Sequence, residues 1–311
     1  LLEVAELNVA FSSVDRTTAQ AAALFDERGR VLDRISEYMP IQTFERNSGA
    51  IDVLTNEGVF LVAGPARQIE YTPANVMGTD FTLAGGDLSG LTVDGVDITP
   101  GATAAGAVSS GSLAALFTLR DSDLTTLQSQ LDTMAQDLID RYTDPTVDPT
   151  LLVGDPGLFL DSDPTAGAGI AGRLQINALV DPAQGGAVWR LRDGLGAVAA
   201  GNPGDTTILT GLVGALDSVR TISQPGLQGS YSMSDLIAQL GSLAGQKRIQ
   251  NEAVRSSVTI QHDALKQAEA SETGVDIEQE MQDLLIIEQA FAANARVIEA
   301  AAQMINQLID L

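Results

Sequence analysis

The chain has 311 residues, 44% of them hydrophobic, and sets 41 acidic side chains against 17 basic ones for a formal charge of −24. That length can bury a substantial core and has room for two or more domains, while the acidic balance argues against binding nucleic acid or an anionic membrane, both of which need basic surface. With no cysteine and a single histidine, His262, thiol chemistry, disulfide frameworks and the common zinc sites are excluded.

From Leu1 to Met39 apolar residues recur at helical spacing, with Leu24, Val31, Ile35 and Met39 on one face and Pro40 as the stop. The period then changes. Between residues 40 and 103 short alternating runs are separated by turn residues: Ile41 to Phe44, Ile51 to Leu54, Val59 to Val62, Gln68 to Tyr71, Phe81 to Leu83, Leu91 to Val93 and Val96 to Ile98. Asp94-Gly95 between the last two is a two-residue hairpin signal. These runs predict a small antiparallel β domain inserted between helical segments. It is close to the lower size limit for independent folding and is expected to lean on the helices. As an insertion it is also expected to lie on the outer surface, adding bulk and spacing, and to be replaceable by a linker without loss of the helical fold.

Helix returns in residues 104–143, with Ser112 as its N-cap. Leu113, Leu116, Leu124, Leu127, Leu131, Met134 and Leu138 form a three-four seam, with Arg120 at its polar step. Residues 144–230 are rich in Gly, Pro and Asp and read as loop, apart from short apolar runs at 158–160 and 174–180 and a helix over 208–219. A further helix, capped by Ser234, occupies residues 231–270, and a terminal helix occupies residues 271–311.

The terminal helix carries the strongest pattern. Alternate steps of four and three connect Ile277, Met281, Leu284, Glu288, Phe291, Ala295, Ile298, Ala302, Ile305 and Ile309, with Glu288 the one polar residue. Asp276 and Gln279 form a capping box behind Gly274. Such a stripe is ordinarily core packing, but a strict two-in-seven seam at a chain terminus is the pattern of a helix that docks on a partner. The assembly interface is therefore assigned to Ile277, Met281, Leu284, Phe291, Ala295, Ile298, Ala302, Ile305 and Ile309. The segment is too broken by charge to span a membrane and too acidic, with only Arg296 against seven carboxylates, to lie on one.

Four segments resemble the flagellar axial proteins, the family of rod, hook, hook-associated and filament subunits. Gln289 to Ile298 is similar to the Q-x-A-[FY]-x-A-x-[AS]-[KR]-V-I pattern of the rod and hook group. Gly274 to Met281 resembles the G-V-N-L-D-E-E-M signature of the hook-associated group that joins hook to filament, with Gln279 departing from it. Leu24 to Ser36 resembles that group's L-L-D-x-R-D-x-L-L-D-x-L-S helix, with Gly29 in place of an acidic residue, and Gly111 to Asp121 its G-S-L-x-x-L-x-x-x-R-D segment. The resemblance implies an α+β fold: an elongated helical bundle or coiled coil with an inserted β domain and Gly/Pro/Asp-rich loops. It implies a structural, non-enzymatic subunit at the junction of hook and filament, extracellular and exported by the flagellar secretion apparatus. Implied partners are the hook subunit, the second junction protein, copies of itself and an export chaperone. It further implies a longer N-terminal helical segment than the one present, so the chain reads as lacking its N-terminal part.

Candidate chemistry is sparse. Gly167 to Gly172 matches G-x-G-x-x-G, but Arg173 to Val180 reads as strand where a dinucleotide site needs a helix. Asp144 to Asp155 and Asp161-Ser162-Asp163 lack the ligand ladder of an EF-hand loop and read as turn residues. His262 beside Asp263 reads as an exposed polar pair, and Trp189 as a packing anchor. No cofactor and no metal are expected. The alternatives are another axial subunit, such as the second junction protein or a flagellin-like chain, and a surface enzyme or adhesin with its site in the loops of 144–205.

Overall fold

The computed structural model describes residues 1–79, 81–273 and 277–309, which fall into two compact units dividing after Gly241. The first unit opens on α1 (Leu2–Ser12) and α2 (Ala19–Ser36). Two helices thus stand where the spacing suggested one helical segment. The break is chemical: Ser, Thr and Asp side chains compete for the backbone. The Asp15 carboxylate accepts from the Thr17 amide at 3.0 Å and from its hydroxyl at 2.8 Å. Thr18 then caps α2, its hydroxyl accepting from the Ala21 amide at 3.2 Å.

The β region follows as β1 (Ile41–Glu45), β2 (Ile51–Thr55) and β3 (Phe60–Val62) in one antiparallel sheet. A second sheet holds β4 (Ile69–Glu70), β5 (Thr92–Val93) and β6 (Val96–Asp97). The Asp94-Gly95 turn has φ of 47° and 80°, the double positive φ that a tight hairpin turn needs. Phe81 to Leu83 is a turn segment and not a strand. There the Thr82 hydroxyl accepts from the Gly85 amide, and the Asp87 carboxylate accepts from the Thr82 amide.

The insertion does not own its core. Val4 of α1 and Val31 of α2 are buried in one cluster with Ile51, Val53, Leu61, Val62, Val93 and Ile98. Asn8 of α1 fastens the two layers, donating to the Ile51 carbonyl at 2.8 Å and accepting from its amide at 2.9 Å. The Arg28 guanidinium, buried over the Phe11 ring, donates to the Gly49 carbonyl. This shared core argues against the expectation that a linker could replace residues 41–103 and spare the helices, since α1 and α2 would lose apolar partners they bury against.

Next come α3 (Gly111–Thr118), a π-helical turn (Leu119–Asp123) and α4 (Leu124–Tyr142). The N-cap position is Ser110, not Ser112, whose hydroxyl instead donates to the Glu37 carbonyl at 2.8 Å. In the π turn Arg120 lies over the Phe117 ring and makes a two-pronged ion pair with Asp121. The leucine seam is not the buried face of these helices: Leu116 and Leu124 are 60% and 52% exposed. What α4 buries is Asp132, Ala135, Asp137, Arg141 and Tyr142.

Beyond α4 lie β7 (Phe159–Asp161), the single turn α5 (Ile170–Arg173) and β8 (Leu174–Ile176), with β7 and β8 antiparallel. Then come the single turn α6 (Arg190–Asp193), α7 (Thr207–Asp217), and the paired β9 (Arg220–Ile222) and β10 (Gly229–Tyr231). This half of the unit is organised by Arg141, which is buried. It pairs with Asp137 at 2.7 Å and donates to the carbonyls of Ala215, Ser218 and Tyr231.

Last come α8 (Met233–Thr273) and α9 (Ile277–Ile309). The cap of α8 is Ser232 and not Ser234. Its hydroxyl accepts from the Asp235 amide, and the Asp235 carboxylate accepts from the Ser232 amide, a reciprocal capping box. The corresponding box expected at Asp276 lies outside the described residues. The fold is α+β, with a helical domain and several small antiparallel sheets.

Candidate assembly surface

Each of the sites considered for chemistry has its polar groups committed within the chain. The amides of Gly169 and Ala171 in the glycine-rich loop converge on one carboxylate, as they would on a phosphate. The anion they hold is Asp132 of α4, with Gly169 donating at 2.6 Å and Ala171 at 2.9 Å. Asp132 is buried, and Gly169 has φ of 99°. The loop is therefore a clamp between α4 and α5, and the helix behind it is a single turn.

The aspartate loops are turns. Asp144 accepts from the Thr146 amide and hydroxyl, and these bonds hold its carboxyl below the usual range. Asp148, 1% exposed, ties its own loop to the Leu195 amide at 2.8 Å. Asp161 faces the Arg173 guanidinium on two prongs of 2.9 Å, and this charged hydrogen-bonding partner depresses its pKa. Among the described residues no three acidic or histidine side chains converge to hold a metal ion. A groove of about 500 Å³ beside the clamp is lined by Asp137, Asp140 and Arg220, among others. Arg220 pairs with Asp137 at 3.4 Å, and Asp137 also serves Arg141. His262 is exposed on α8 with Asp263 at 3.3 Å. Trp189, half-buried at the start of α6, stacks under Arg190.

The second unit presents the opposite situation, apolar groups without cover. On α8 every residue from 247 to 272 is exposed, and on α9 every described side chain from 278 to 300. Met281, Leu284, Phe291 and Ile298 of the seam are 59%, 64%, 77% and 70% exposed, and Ala295 is exposed beside them. The unbroken helix brings these five to one face. The side chains of Ile277, Ala302, Ile305 and Ile309 lie outside the described residues. The apolar surface is also wider than a two-in-seven stripe, because Leu285, Ile286, Ile287 and Val297 are exposed as well. No helix of the described residues is long and apolar enough to cross a membrane.

α9 is thus a 33-residue helix whose described apolar side chains are uncovered in this chain. Two family models match the chain. Residues 1–145, from α1 through α4, match the flagellar hook-associated protein FlgK helical domain. Residues 267–311, the end of α8 and all of α9, match the flagellar basal body rod FlgEFG protein C-terminal region. The chain is a FlgK-like flagellar hook-associated protein. It is a structural protein of the flagellum, at the hook–filament junction. The chain has no match among curated proteins.

Two features of the surface escaped sequence reasoning. The second apolar flank of α9 was legible in the Leu284 to Ile287 run but hidden by tracing a single seam. The exposed leucines of α3 and α4 have the same period as a core face, and spacing alone does not distinguish the two.

Proposed function

We propose that the subunit couples its own incorporation to the burial of α9. In the unassembled chain the helix has no cover, and its seam residues stay in water. On incorporation the face of Met281, Leu284, Phe291, Ala295 and Ile298, continued by spacing through Ile277, Ala302, Ile305 and Ile309, packs against helices of neighbouring axial subunits. The hook subunit, the second junction protein and further copies of the chain are the neighbours such a position provides. Burying a large aliphatic or aromatic side chain contributes about 1.5–3 kcal/mol, so Met281, Leu284, Phe291 and Ile298 together contribute roughly 6–12 kcal/mol to incorporation.

The observation that carries this reading is the exposure of Met281, Leu284, Phe291, Ala295 and Ile298 on a helix that matches a family model of axial subunits. An uncovered seam of this kind also needs protection before assembly, a role suited to an export chaperone. The protein would reach its extracellular site through the flagellar secretion apparatus, and it acts without catalysis. Deleting residues 277–311 tests the reading. Filament attachment should be lost while residues 1–241 keep their melting temperature, and a subunit that still attaches filaments would refute it.

A further inference from the structure

A glycine that follows an aspartate leaves the backbone open to a reaction with itself. The glycine nitrogen attacks the aspartate Cγ, one water leaves, and a five-membered imide forms. Water then reopens the imide. Opening at the former main-chain carbonyl gives isoaspartate, whose main chain runs through Cβ and is one carbon longer. Glycine obstructs the attack least, because it has no Cβ. The sequence has two such pairs, Asp94-Gly95 and Asp193-Gly194, and no Asn-Gly, the corresponding amide.

Both carboxylates are held by an arginine and a backbone amide. Asp94 accepts from Arg67 Nη1 at 2.7 Å through one oxygen and from the Gln68 amide at 3.0 Å through the other. Asp193 faces Arg192 on two prongs of 2.9 and 2.7 Å and accepts from the Gly201 amide at 3.0 Å. Imide closure needs the carboxyl to turn onto the next nitrogen and to carry a proton, so that its oxygen can leave as water. The contacts fix the rotation. They also hold both carboxyls below the usual range, with the arginine hydrogen bond the larger cause in each. The two sites differ in cover. The Asp193 side chain is 7% exposed, and the Gly194 nitrogen that would attack it already donates to the Arg190 carbonyl at 2.9 Å. Asp94 is 38% exposed, and Arg67 above it is 42% exposed. We propose that Asp94-Gly95 is the site at which this chain forms isoaspartate, and that Arg67 restrains the reaction. The damage would be structural. Val93 and Val96 pair across this turn, and Val93 is buried in the core shared with α1 and α2, so an extra main-chain carbon there breaks the hairpin register.

The test ages the full chain at neutral pH beside its Arg67→Gln and Arg67→Lys variants. Samples are digested at intervals, and isoaspartate is scored in the peptides holding Asp94 and Asp193 by methyl transfer from an isoaspartyl methyltransferase. In the unchanged chain isoaspartate should appear at Asp94 before Asp193. Arg67→Gln should raise the Asp94 rate several-fold and leave the Asp193 rate alone, and Arg67→Lys, which keeps the charge with fewer donors, should fall between. Asp193 serves as the internal reference for loss of fold. An equal rise at both sites would overturn the proposal, because general opening and not the missing guanidinium would then be the cause. An Asp94 rate that Arg67→Gln leaves unchanged would overturn the restraint, and isoaspartate at Asp193 first would overturn the choice of site.

Discussion

Replacing Arg141 by methionine tests how the first unit is held together. The side chain is 1% exposed, and its partners are the Asp137 carboxylate, the carbonyls of Ala215, Ser218 and Tyr231, and the Ser218 hydroxyl. Methionine keeps much of the length and removes every donor. Breaking a buried ion pair from one side costs about 3–5 kcal/mol, because the remaining charge is stranded. Arg220, at 3.4 Å from the other Asp137 oxygen, moderates that part. Against this, buried carbonyls left without a donor add about 1–3 kcal/mol each, non-additively. A loss of about 4 kcal/mol is expected, which for a unit of this size lowers the melting temperature by roughly 10 °C. Circular dichroism melting of the variant beside Arg30→Met provides the measurement. Arg30 is 68% exposed in its pair with Glu27, so that control should move stability by less than about 0.5 kcal/mol. Adding Asp137→Leu to Arg141→Met should recover part of the loss by removing the stranded charge. A drop below about 1 kcal/mol for Arg141→Met would refute the view that this buried arginine joins α4 to α7 and β10.

Other consequences are as direct. Gly169→Ala places a Cβ 2.7 Å from the Thr79 hydroxyl at a φ of 99°, so it should destabilise by about 1–3 kcal/mol in chemical denaturation, and an unchanged midpoint would contradict the clamp. Asp144, Asp161 and Asp163 have pKa values held low by Thr146, Arg173 and Thr165 respectively. A depressed folded pKa gives stability that is complete above the usual carboxylate range and is lost as pH falls through and below it, so melting temperature should fall between about pH 5 and about pH 3. Asp161→Asn should flatten part of that fall, and an identical pH profile would count against the Arg173 pair. Calcium should leave the melting temperature unchanged, because the loop carboxylates already serve amides, hydroxyls and Arg173. A rise of several degrees reversed by chelation would restore a cation site. Replacing residues 41–103 by a linker should reduce the helical signal of α1 to α3 beyond the residues removed, since Val4, Val31 and Phe117 share their core with the strands.

Much of the element order is legible in the sequence because it rests on local chemistry. The Asp94-Gly95 hairpin follows from turn residues that tolerate positive φ, and α9 follows from a long period free of Gly and Pro. Boundaries set by competition between neighbouring polar groups are less legible. Ser110, Ser112, Ser232 and Ser234 are all plausible caps, and distant partners such as the Glu37 carbonyl decide which hydroxyl is diverted. The break at 13–18 is of the same kind. Least legible are the buried polar contacts. Nothing in the spacing of Asp132, Asp137 and Arg141 marks them as buried, and it is contact with residues 169–171 and 215–231 that covers them. The glycine-rich loop resembled an anion site because it is one, filled by the chain's own aspartate.

The central claim is that α9 is exposed until the subunit assembles, and Ile298→Asp measures it with least ambiguity. Ile298 is 70% exposed in the unassembled chain, so an aspartate there should shift free-subunit stability by less than about 0.5 kcal/mol. In an apolar interhelical seam the same carboxylate costs several kcal/mol, so incorporation and filament attachment should be abolished. Glu299→Lys, one residue along on the exposed helix, should assemble far better than Ile298→Asp. Free-subunit melting and filament attachment, read for this pair of variants, decide the matter. The account predicts a normal melt and no attachment for Ile298→Asp. An unassembled Ile298→Asp subunit that melts several degrees early would contradict it, because the seam would then be part of the subunit's own core.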